Sequence, residues 1–417
     1  GVCGTGKCLD KNTLIFCKPS DKKYFGYNKI SELEDKKGEI ISLNNNGRLV
    51  KSSFENVRRT GRKRLYKVET RTGREIITSI NHPFLTITKK GNEWLPLEKL
   101  NDKSYICLPN KIDLEVNETL NPDKIKILAH LIAEGKLGDK AGSPVYFQNA
   151  EQNPKIRKDY EDSLKNLFPE GELKSYCGKD VSMTFKNMNT THGTTNKLRL
   201  LIREFGLDGK KSSEKFVPEI IFNLNKSEIA LFLSRLFSCD GCIYKRNKQI
   251  VIEYTSISKR LVIDISALLL KFGIHHTITS KKFRENKDYA WRLCISNHEN
   301  LRKYIEEIGF IGRKQKLALE LYKKTLQHKF TNIDKVPRTI REYLKSLGYN
   351  YLQLDRFLNY ENIKKERKNK NFKEIIKDKT IATPQVFKQS RIDFLRSHVC
   401  KINKYIQNEN LSFICSK

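Results

Sequence analysis

Hydrophobic and polar positions along the chain follow two different periods. Up to about residue 112 they alternate in short runs such as LYKVETRTG and REIITSI, separated by turn signals such as NNNG and RTG. Such alternation is typical of β-strands. Farther along, apolar residues recur at helical spacing in segments such as DKIKILAHLIAEG and KSEIALFLSRLF, and strand-like stretches such as KQIVIEYTSI lie between them. The pattern predicts an all-β region followed by an α+β region.

The α+β region contains an internal duplication. LAHLIAEG resembles SRLFSCDG farther along the chain, and IREFGL resembles IEEIGF. The offset from Glu134 to Gly206 is 72 residues, and the offset from Asp240 to Gly309 is 69 residues. Two pairs of markers at nearly equal spacing predict two copies of one unit, related by a pseudo-twofold axis if the halves pack together.

Each repeat opens with a helix that ends on an acid. Asn121 followed by proline is a typical helix start, and this helix should run to Glu134, just before a glycine. The second helix should start at Asn225, with Glu228 placed for a capping box, and end at Asp240, again before a glycine. A carboxylate at a helix C-terminus costs a few tenths to about 1 kcal/mol, because that end already carries partial negative charge. The same arrangement in both repeats indicates a compensating cation.

Composition and charge narrow the class of partner. The 417 residues are 38% hydrophobic, which is enough for buried cores in two or three domains. Lys and Arg outnumber Asp and Glu by 80 to 48, and the net charge of +32 favours a polyanionic partner. Nucleic acid is the leading candidate, because neutralised phosphates release counterions, and a membrane surface is the second. No apolar run approaches the roughly 18 residues of a spanning helix, so we expect no membrane insertion.

Glu134 and Asp240 are candidate metal ligands. Two carboxylates brought together across a pseudo-dyad would form a hard oxygen site suited to Mg²⁺. In a strongly basic chain such a site favours phosphodiester hydrolysis. Two active sites related by a pseudo-dyad would also match the two strands of a duplex.

LAHLIAEG and FLSRLFSCDG resemble the two copies of the LAGLIDADG motif of homing endonucleases. The resemblance implies that the two motif helices pack side by side and that Glu134 and Asp240 bind the catalytic metals, with Mg²⁺ as cofactor and double-stranded DNA as partner. EKFVPEIIF resembles a further block of that family, whose catalytic lysine corresponds to Lys215. The repeat places Lys314 as the partner of that lysine, with Lys316 close behind.

One residue departs from the motif. The family prefers a small residue at the third motif position, where the helices touch, and Ala129 fits this preference whereas Arg235 does not. Either the second helix rotates or spreads locally at this point, or the assigned register is off. The departure bears on the packing of the helices more than on the choice of acids.

The first seven residues, GVCGTGK, match the start of a P-loop, G-x-x-x-x-G-K. A working P-loop continues with Ser or Thr, follows a strand and opens a helix. Here Cys8 comes next, and the sequence after it is strand-like. ATP hydrolysis is therefore the weaker interpretation, although loss of activity in Lys7→Ala would test it.

CLDKNTLI and TSINHPFLT resemble the first two blocks of inteins. The resemblance implies that an intein interrupts the P-loop of a host ATPase, with Lys7 as the last residue of the host protein, the extein attached in cis. Cys8 would attack the carbonyl of Lys7 and convert the amide to a thioester. His82 would strain or protonate the scissile amide nitrogen, and Ser79 would hydrogen-bond near the same peptide.

The end of the chain lacks the second half of that chemistry. Inteins end in His-Asn before Cys, Ser or Thr, whereas this chain ends in NLSFICSK and contains no His-Asn dipeptide. We therefore expect that the chain does not complete splicing and that the final strands of the splicing sheet are absent. A truncation, a fragment, or one half of a split pair completed by a separate C-terminal intein fragment are the alternatives.

The fold class that follows is multidomain. An all-β Hint-type splicing domain, incomplete at its C-terminus, precedes an α+β endonuclease of two αββαββα repeats and a small helical module. Residues 1–7 are predicted to be the host remnant and residues 8–112 the splicing domain. The endonuclease is predicted at 113–325, with its two repeats at about 121–207 and 225–310. A basic helical DNA-binding module should follow at 326–400, and residues 401–417 should return toward the splicing domain. Scattered cysteines predict reduced thiols in a cytoplasmic protein, which we expect to be a monomer.

Two further functions share this fold. The protein could bind DNA or RNA without cleaving it, or it could assist RNA folding as a maturase, although a maturase has no use for the blocks around Cys8 and His82.

A zinc site is disfavoured, because Cys239 and Cys242 form a CxxC pair without a second pair of ligands. We expect these two cysteines to be packing residues.

Overall fold

The computed structural model describes residues 7–44, 47–88, 91–112, 118–138, 143–176, 179–187, 195–246, 249–282, 289–325, 394–405 and 411–416. The strands are β1 (Leu9–Asp10), β2 (Leu14–Pro19), β3 (Gly26–Lys29), β4 (Gly38–Leu43), β5 (Leu49–Arg62), β6 (Leu65–Thr70), β7 (Glu75–Ser79), β8 (Pro83–Thr88), β9 (Gly91–Pro96), β10 (Tyr105–Pro109), β11 (Gly135–Lys136), β12 (Val145–Phe147), β13 (Gly171–Tyr176), β14 (Lys179–Asn187), β15 (Gly241–Arg246), β16 (Gln249–Ser256), β17 (Thr277–Lys282), β18 (Tyr289–Ile295), β19 (Phe394–Tyr405) and β20 (Leu411–Ser416). The helices are α1 (Pro122–Glu134), α2 (Pro154–Leu167), α3 (Lys197–Glu204), α4 (Lys226–Cys239), α5 (Lys259–Lys271), α6 (His298–Glu307) and α7 (Arg313–Thr325).

The chain divides into two compact units. The first contains the residues up to Asp21, Asn28–Asn110, and the C-terminal strands. The second contains the residues from Lys111 to the end of α7 together with the short segment Lys22–Tyr27. The inclusion of that segment is not indicated by the sequence pattern.

The first unit is built on a sheet whose described strands have the order β3-β2-β4-β5-β20-β1-β7-β6-β19-β10-β8-β9. Two apolar clusters form its core, one of Cys17, Ile30, Leu33, Phe54 and Val57, the other of Val68, Phe84, Leu97, Leu100, Ile106 and Val399. In the second half of β6, Val68 and Thr70 are buried and Glu69 between them is less buried, as the alternation of a strand predicts.

The C-terminal strands belong to this sheet. β19 pairs antiparallel with β6 and β10, and β20 pairs antiparallel with β1 and β5. The expectation that the final strands are absent is therefore wrong. Membership of a strand in the sheet does not depend on particular splicing residues, because a strand joins a sheet through its backbone hydrogen bonds.

The second unit contains the predicted duplication. The first repeat runs α1-β11-β12-α2-β13-β14-α3, and the second runs α4-β15-β16-α5-β17-β18-α6. The sheets have matching strand orders, β11-β12-β14-β13 and β15-β16-β18-β17. Both repeats have the αββαββα order, which confirms the predicted β-rich and α+β parts of the fold class.

The helix starts follow the predicted capping. The Asn121 side chain accepts a hydrogen bond from the backbone N–H of Asp123, and proline occupies the first turn of α1. Asn225 and Glu228 form a reciprocal capping box at the start of α4. These caps satisfy backbone donors that a helix start leaves unpaired, which fixes where each motif helix begins.

Most of the segment predicted as a helical DNA-binding module lies outside the described residues. Its last part is a strand, because β19 begins at Phe394, within the range 326–400. Among the described residues, no helix is both long and apolar enough to cross a membrane.

Candidate active sites

The two motif helices pack against each other. α1 and α4 share an extensive contact, and most of the buried side chains on both helices are apolar. The side chains buried on these helices include Ile125, Leu128, Ala129, Ile132, Ile229, Phe232, Leu233 and Leu236. The small residue Ala129 is fully buried, as its motif position requires.

Glycines fix the junction between each motif helix and the next strand. A Cβ at Gly135 would lie 2.4 Å from the carbonyl oxygen of Leu131, and a Cβ at Gly241 would lie 2.7 Å from that of Phe237. No larger residue fits there without movement of the backbone. The preceding acids are therefore held at two equivalent turns.

Glu134 and Asp240 meet at these turns. Their carboxyl groups lie close enough for each to shift the pKa of the other. Burial and the neighbouring charge of Asp240 raise the pKa of Glu134 to about 7. Burial also raises the pKa of Asp240, against the hydrogen bond from Glu134 and the charges of two lysines. Without a cation, the pair therefore holds a shared proton near neutral pH.

This pair fits a hard divalent cation. Two converging carboxylates that resist joint ionisation are relieved by a positive ion, and oxygen is the ligand that Mg²⁺ prefers. In the described part of the chain, no group of three or more His, Cys, Asp or Glu side chains forms a metal cluster. Among the described residues, Glu134 and Asp240 are the side chains placed to hold such an ion.

A lysine caps the end of each motif helix. Lys215 Nζ donates to the carbonyl oxygens of Leu131 and Ala133, both at 3.3 Å. Lys314 Nζ donates to three carbonyl oxygens at the end of α4, those of Phe237 at 3.3 Å, Ser238 at 2.6 Å and Cys239 at 2.9 Å. The two lysines thus supply positive charge where the helix C-termini and the acids bring negative charge.

Both lysines have a pKa below the usual value for lysine. Burial lowers the pKa of Lys215 to about 8, although Asp240 and Glu134 oppose this shift. Burial also lowers the pKa of Lys314. Lys316, by contrast, is exposed. The structure therefore brings Glu134, Asp240, Lys215 and Lys314 together and leaves Lys316 at the surface.

Arg235 points away from the helix seam. Its guanidinium donates to both carboxylate oxygens of Asp159 on α2, at 3.1 and 3.0 Å. The same carboxylate lies 2.8 Å from Nε2 of His130, which is fully buried on α1. The misfit at the third motif position is thus resolved by the side chain's direction, since Arg235 links α4 to α2.

The buried histidine extends this network toward the acids. His130 Nδ1 lies 3.1 Å from the Tyr146 hydroxyl and 3.3 Å from Cys239 Sγ. Sequence reasoning missed Asp159 and His130, and the only available signal was a histidine in the middle of an apolar helical segment. Cys239 packs in this network while Cys242 is exposed on β15, so the two cysteines have different surroundings.

A second candidate site surrounds Cys8 in the first unit. The side chain of Cys8 is fully buried, and its backbone N–H donates to Ser79 Oγ at 2.8 Å. The Ser79 N–H donates to the Cys8 carbonyl oxygen at 2.9 Å. Lys63 Nζ donates to Cys8 Sγ at 3.3 Å, and Thr60 Oγ1 lies 3.2 Å from the same sulfur. Lys63 and Thr60 are not indicated by the sequence.

His82 lies beside this site. Its backbone N–H donates to the Ser79 carbonyl oxygen at 3.1 Å. Burial, and then the charge of Lys7, lowers the pKa of His82 to about 4, so the ring is neutral near pH 7. Its Nδ1 is buried without a hydrogen-bond partner among the described atoms. The predicted residues Cys8, Ser79 and His82 are therefore brought together.

Known proteins match both units. The model of the LAGLIDADG-like domain family matches residues 227–309, in the second repeat. The replicative DNA helicase DnaB of Synechocystis sp. PCC 6803 is 26% identical over 350 residues, which cover 80% of this chain and 38% of the helicase. A crystal structure of a DnaB intein from the same organism is 33% identical, covers 25% of this chain and 69% of that chain, and has a TM-score of 0.22. The crystal structure of I-DmoI in complex with DNA and Mn is 16% identical, covers 45% of this chain and 98% of that chain, and has a TM-score of 0.33.

The fold and the two sites define an intein-type protein with an endonuclease-like unit. The chain is similar to inteins, and part of its second unit matches the LAGLIDADG-like domain family. It spans 38% of the length of the helicase that it matches.

Proposed function

We propose that the second unit is a Mg²⁺-dependent, site-specific double-strand DNA endonuclease. The observation that carries the proposal is the meeting of Glu134 and Asp240 at the ends of paired helices, each end capped by a lysine, of which Lys215 is buried. The two carboxylates would hold the ion, which when bound supplies Lewis-acid activation of phosphate and water. Lys215 and Lys314 would stabilise the negative charge that develops on the phosphate.

The charge of the chain supports a duplex partner. The net charge of +32 provides many lysines and arginines for phosphate contacts, which position a protein without reading the sequence. The sheets of the two repeats offer outward-facing side chains that could read base edges in the major groove. The proposed target is the intein-less allele of the host ATPase gene, with a replicative helicase gene as the first to test.

A plasmid assay tests this function. The plasmid carries the host gene with the sequence for GVCGTGK joined directly to the codon of a following Ser or Thr. We expect linearisation with Mg²⁺ and none with EDTA. Mobility shift of the same DNA without linearisation would favour the alternative of a binder that has lost cleavage, and preferential binding of intron RNA would favour a maturase.

Mg²⁺ should stabilise the protein more at pH 8 than at pH 5.5. The pKa of Glu134 rises from 4.5 to about 7 on folding. Ionisation of the pair therefore opposes folding, and this penalty is absent at low pH and complete above pH 7. After allowance for solvent screening, it is on the order of 1 kcal/mol. We expect saturating Mg²⁺ to raise Tm by about 2–4 °C at pH 8 in thermal unfolding, and by less at pH 5.5.

Glu134→Gln provides the control for that experiment. It removes the ionisable partner, so metal-free protein at pH 8 should become slightly more stable and the response to Mg²⁺ should disappear. An equal Mg²⁺ effect at both pH values, or in the variant, would place the ion elsewhere.

The lysines should contribute less than the acids. Lys215→Met and Lys314→Met each remove a charge near the phosphate while keeping side-chain length, and we expect each to slow cleavage by about 10²-fold with little effect on DNA affinity. Cleavage time courses under saturating enzyme measure this. The matched control is Lys316→Met, an exposed lysine on the same helix. A loss in Lys316→Met equal to that in Lys314→Met would reduce both residues to general phosphate contacts.

We also propose that the first unit performs the opening acyl shift of protein splicing. The hydrogen bond from the Cys8 N–H to Ser79 Oγ carries this proposal, because it holds the peptide that would be broken. His82 is neutral and lies on the same turn as Ser79. Dithiothreitol-induced release of the peptide GVCGTGK, lost in Cys8→Ala, tests it. Cys8→Ala should leave DNA cleavage unchanged.

A further inference from the structure

We propose that Lys63 is a catalytic residue of this acyl shift, whose ammonium group stabilises the thiolate of Cys8. The inference rests on the proposed splicing function and adds a residue that no intein block in the sequence assigns. Lys63 qualifies because its Nζ lies 3.3 Å from the reacting sulfur and donates a hydrogen bond to it.

The surroundings of the sulfur make a cation necessary. The side chain of Cys8 is fully buried. A nucleophilic thiolate that forms away from water is stabilised by a nearby positive charge. Among the residues that the structure describes, the polar atoms within hydrogen-bonding distance of Sγ are Nζ of Lys63 and Oγ1 of Thr60. Because the hydroxyl of Thr60 is neutral, Lys63 is the one of these two residues that can stabilise a thiolate at Cys8.

The sheet register explains how Lys63 reaches Cys8. Lys63 lies in the two-residue connection between β5 and β6. In the register of β6 with β7, Leu65 is opposite Ser79. Ser79 in turn exchanges hydrogen bonds with the backbone of Cys8. The connection is therefore held beside Cys8 by strand pairing.

The step balances without another reactant. The sulfur of Cys8 attacks the carbonyl carbon of Lys7, so a C–S bond forms and the C–N bond between the two residues breaks. The proton lost from the thiol ends on the freed amine of Cys8. Lys63 keeps its protons and stabilises the charge on sulfur before the attack.

The test uses the full chain with three substitutions. Lys63→Met removes the charge and keeps the length of the side chain, Lys63→Arg keeps the charge, and Arg64→Met removes a neighbouring exposed cation as the matched control. The first readout is the rate of dithiothreitol-induced release of the N-terminal heptapeptide, followed by mass spectrometry. The second is the pH dependence of Cys8 alkylation by iodoacetamide, followed on the peptide that contains Cys8.

We expect Lys63→Met to slow peptide release by about 10²-fold. We also expect it to move the midpoint of the alkylation profile upward by about 1–3 pH units. Lys63→Arg should restore most of both, and Arg64→Met should match the parent chain. Unchanged release and an unchanged alkylation profile in Lys63→Met would overturn the proposal.

The two readouts separate this proposal from the function on which it rests. If the parent chain releases no peptide, the proposed acyl shift does not take place. The alkylation profile then still decides whether Lys63 favours the thiolate, because alkylation needs no cleavage. A profile that shifts equally in Lys63→Met and Arg64→Met would also count against Lys63, since it would indicate a general effect of net charge.

Discussion

Glu134→Gln and Asp240→Asn are each expected to lower double-strand cleavage by about 10³-fold or more. Each substitution keeps the shape of the side chain and removes the negative charge that would hold the ion. DNA affinity should stay within about threefold of the parent, because phosphate contacts from many cations provide most of it. Because each acid ends a different repeat, the products are measured for each strand separately, and the expected result is loss of cleavage on one strand or both.

A third substitution controls for helix-end acids in general. Glu307 is exposed at the end of α6 and lies outside both motif helices, so Glu307→Gln should cleave as the parent does. Comparable loss of DNA affinity in Glu134→Gln and Asp240→Asn would make the acids structural. Cleavage at the parent rate in both variants would reject them as ligands.

The sequence was sufficient where the determinants are local or repeated. Asn121, Asn225 and Glu228 mark helix starts because a capping side chain acts on backbone donors within a few residues. The acids recur at nearly equal offsets of 72 and 69 residues from later glycines, so the junctions of Glu134 and Asp240 could be paired from the sequence alone. The αββαββα order was implied by the resemblance to LAGLIDADG homing endonucleases, and it is present in both copies.

The sequence was insufficient where partners are distant along the chain. Arg235 and Asp159 are 76 residues apart, and Lys63 and Cys8 are 55 residues apart. Periodicity gives the face of a helix or strand that is buried, but it does not give the element that covers that face. The same limit explains the error over β19 and β20, whose membership in the sheet depends on pairing with strands near the other end of the chain.

Asp159→Ala is expected to lower the free energy of unfolding of the second unit by about 3 kcal/mol. Removal of the carboxylate leaves the Arg235 guanidinium, 17% exposed, without its bidentate partner, and leaves buried His130 without its acceptor. An unpaired charge in such a position loses solvation that the ion pair had replaced. Urea unfolding at pH 7 measures the loss, and hydrogen exchange of peptides from α1, α2 and α4 assigns it to this contact.

A double-mutant cycle distinguishes the ion pair from loss of packing. Arg235→Met fills the volume without a charge, and in the double variant Asp159→Ala/Arg235→Met no charge is stranded, so a coupling of about 1–3 kcal/mol should appear. Glu172→Ala, which breaks the half-exposed pair with Lys174, should cost under about 0.5 kcal/mol.

Asp159 has a pKa well below its usual range, because its hydrogen bonds with His130 and Arg235 outweigh the effect of burial. Its contribution is therefore present above about pH 4 and declines as the pH falls further. Additive losses in the cycle would mean that Arg235 does not need Asp159, and the misfit at the third motif position would again require rotation or spreading of the helix.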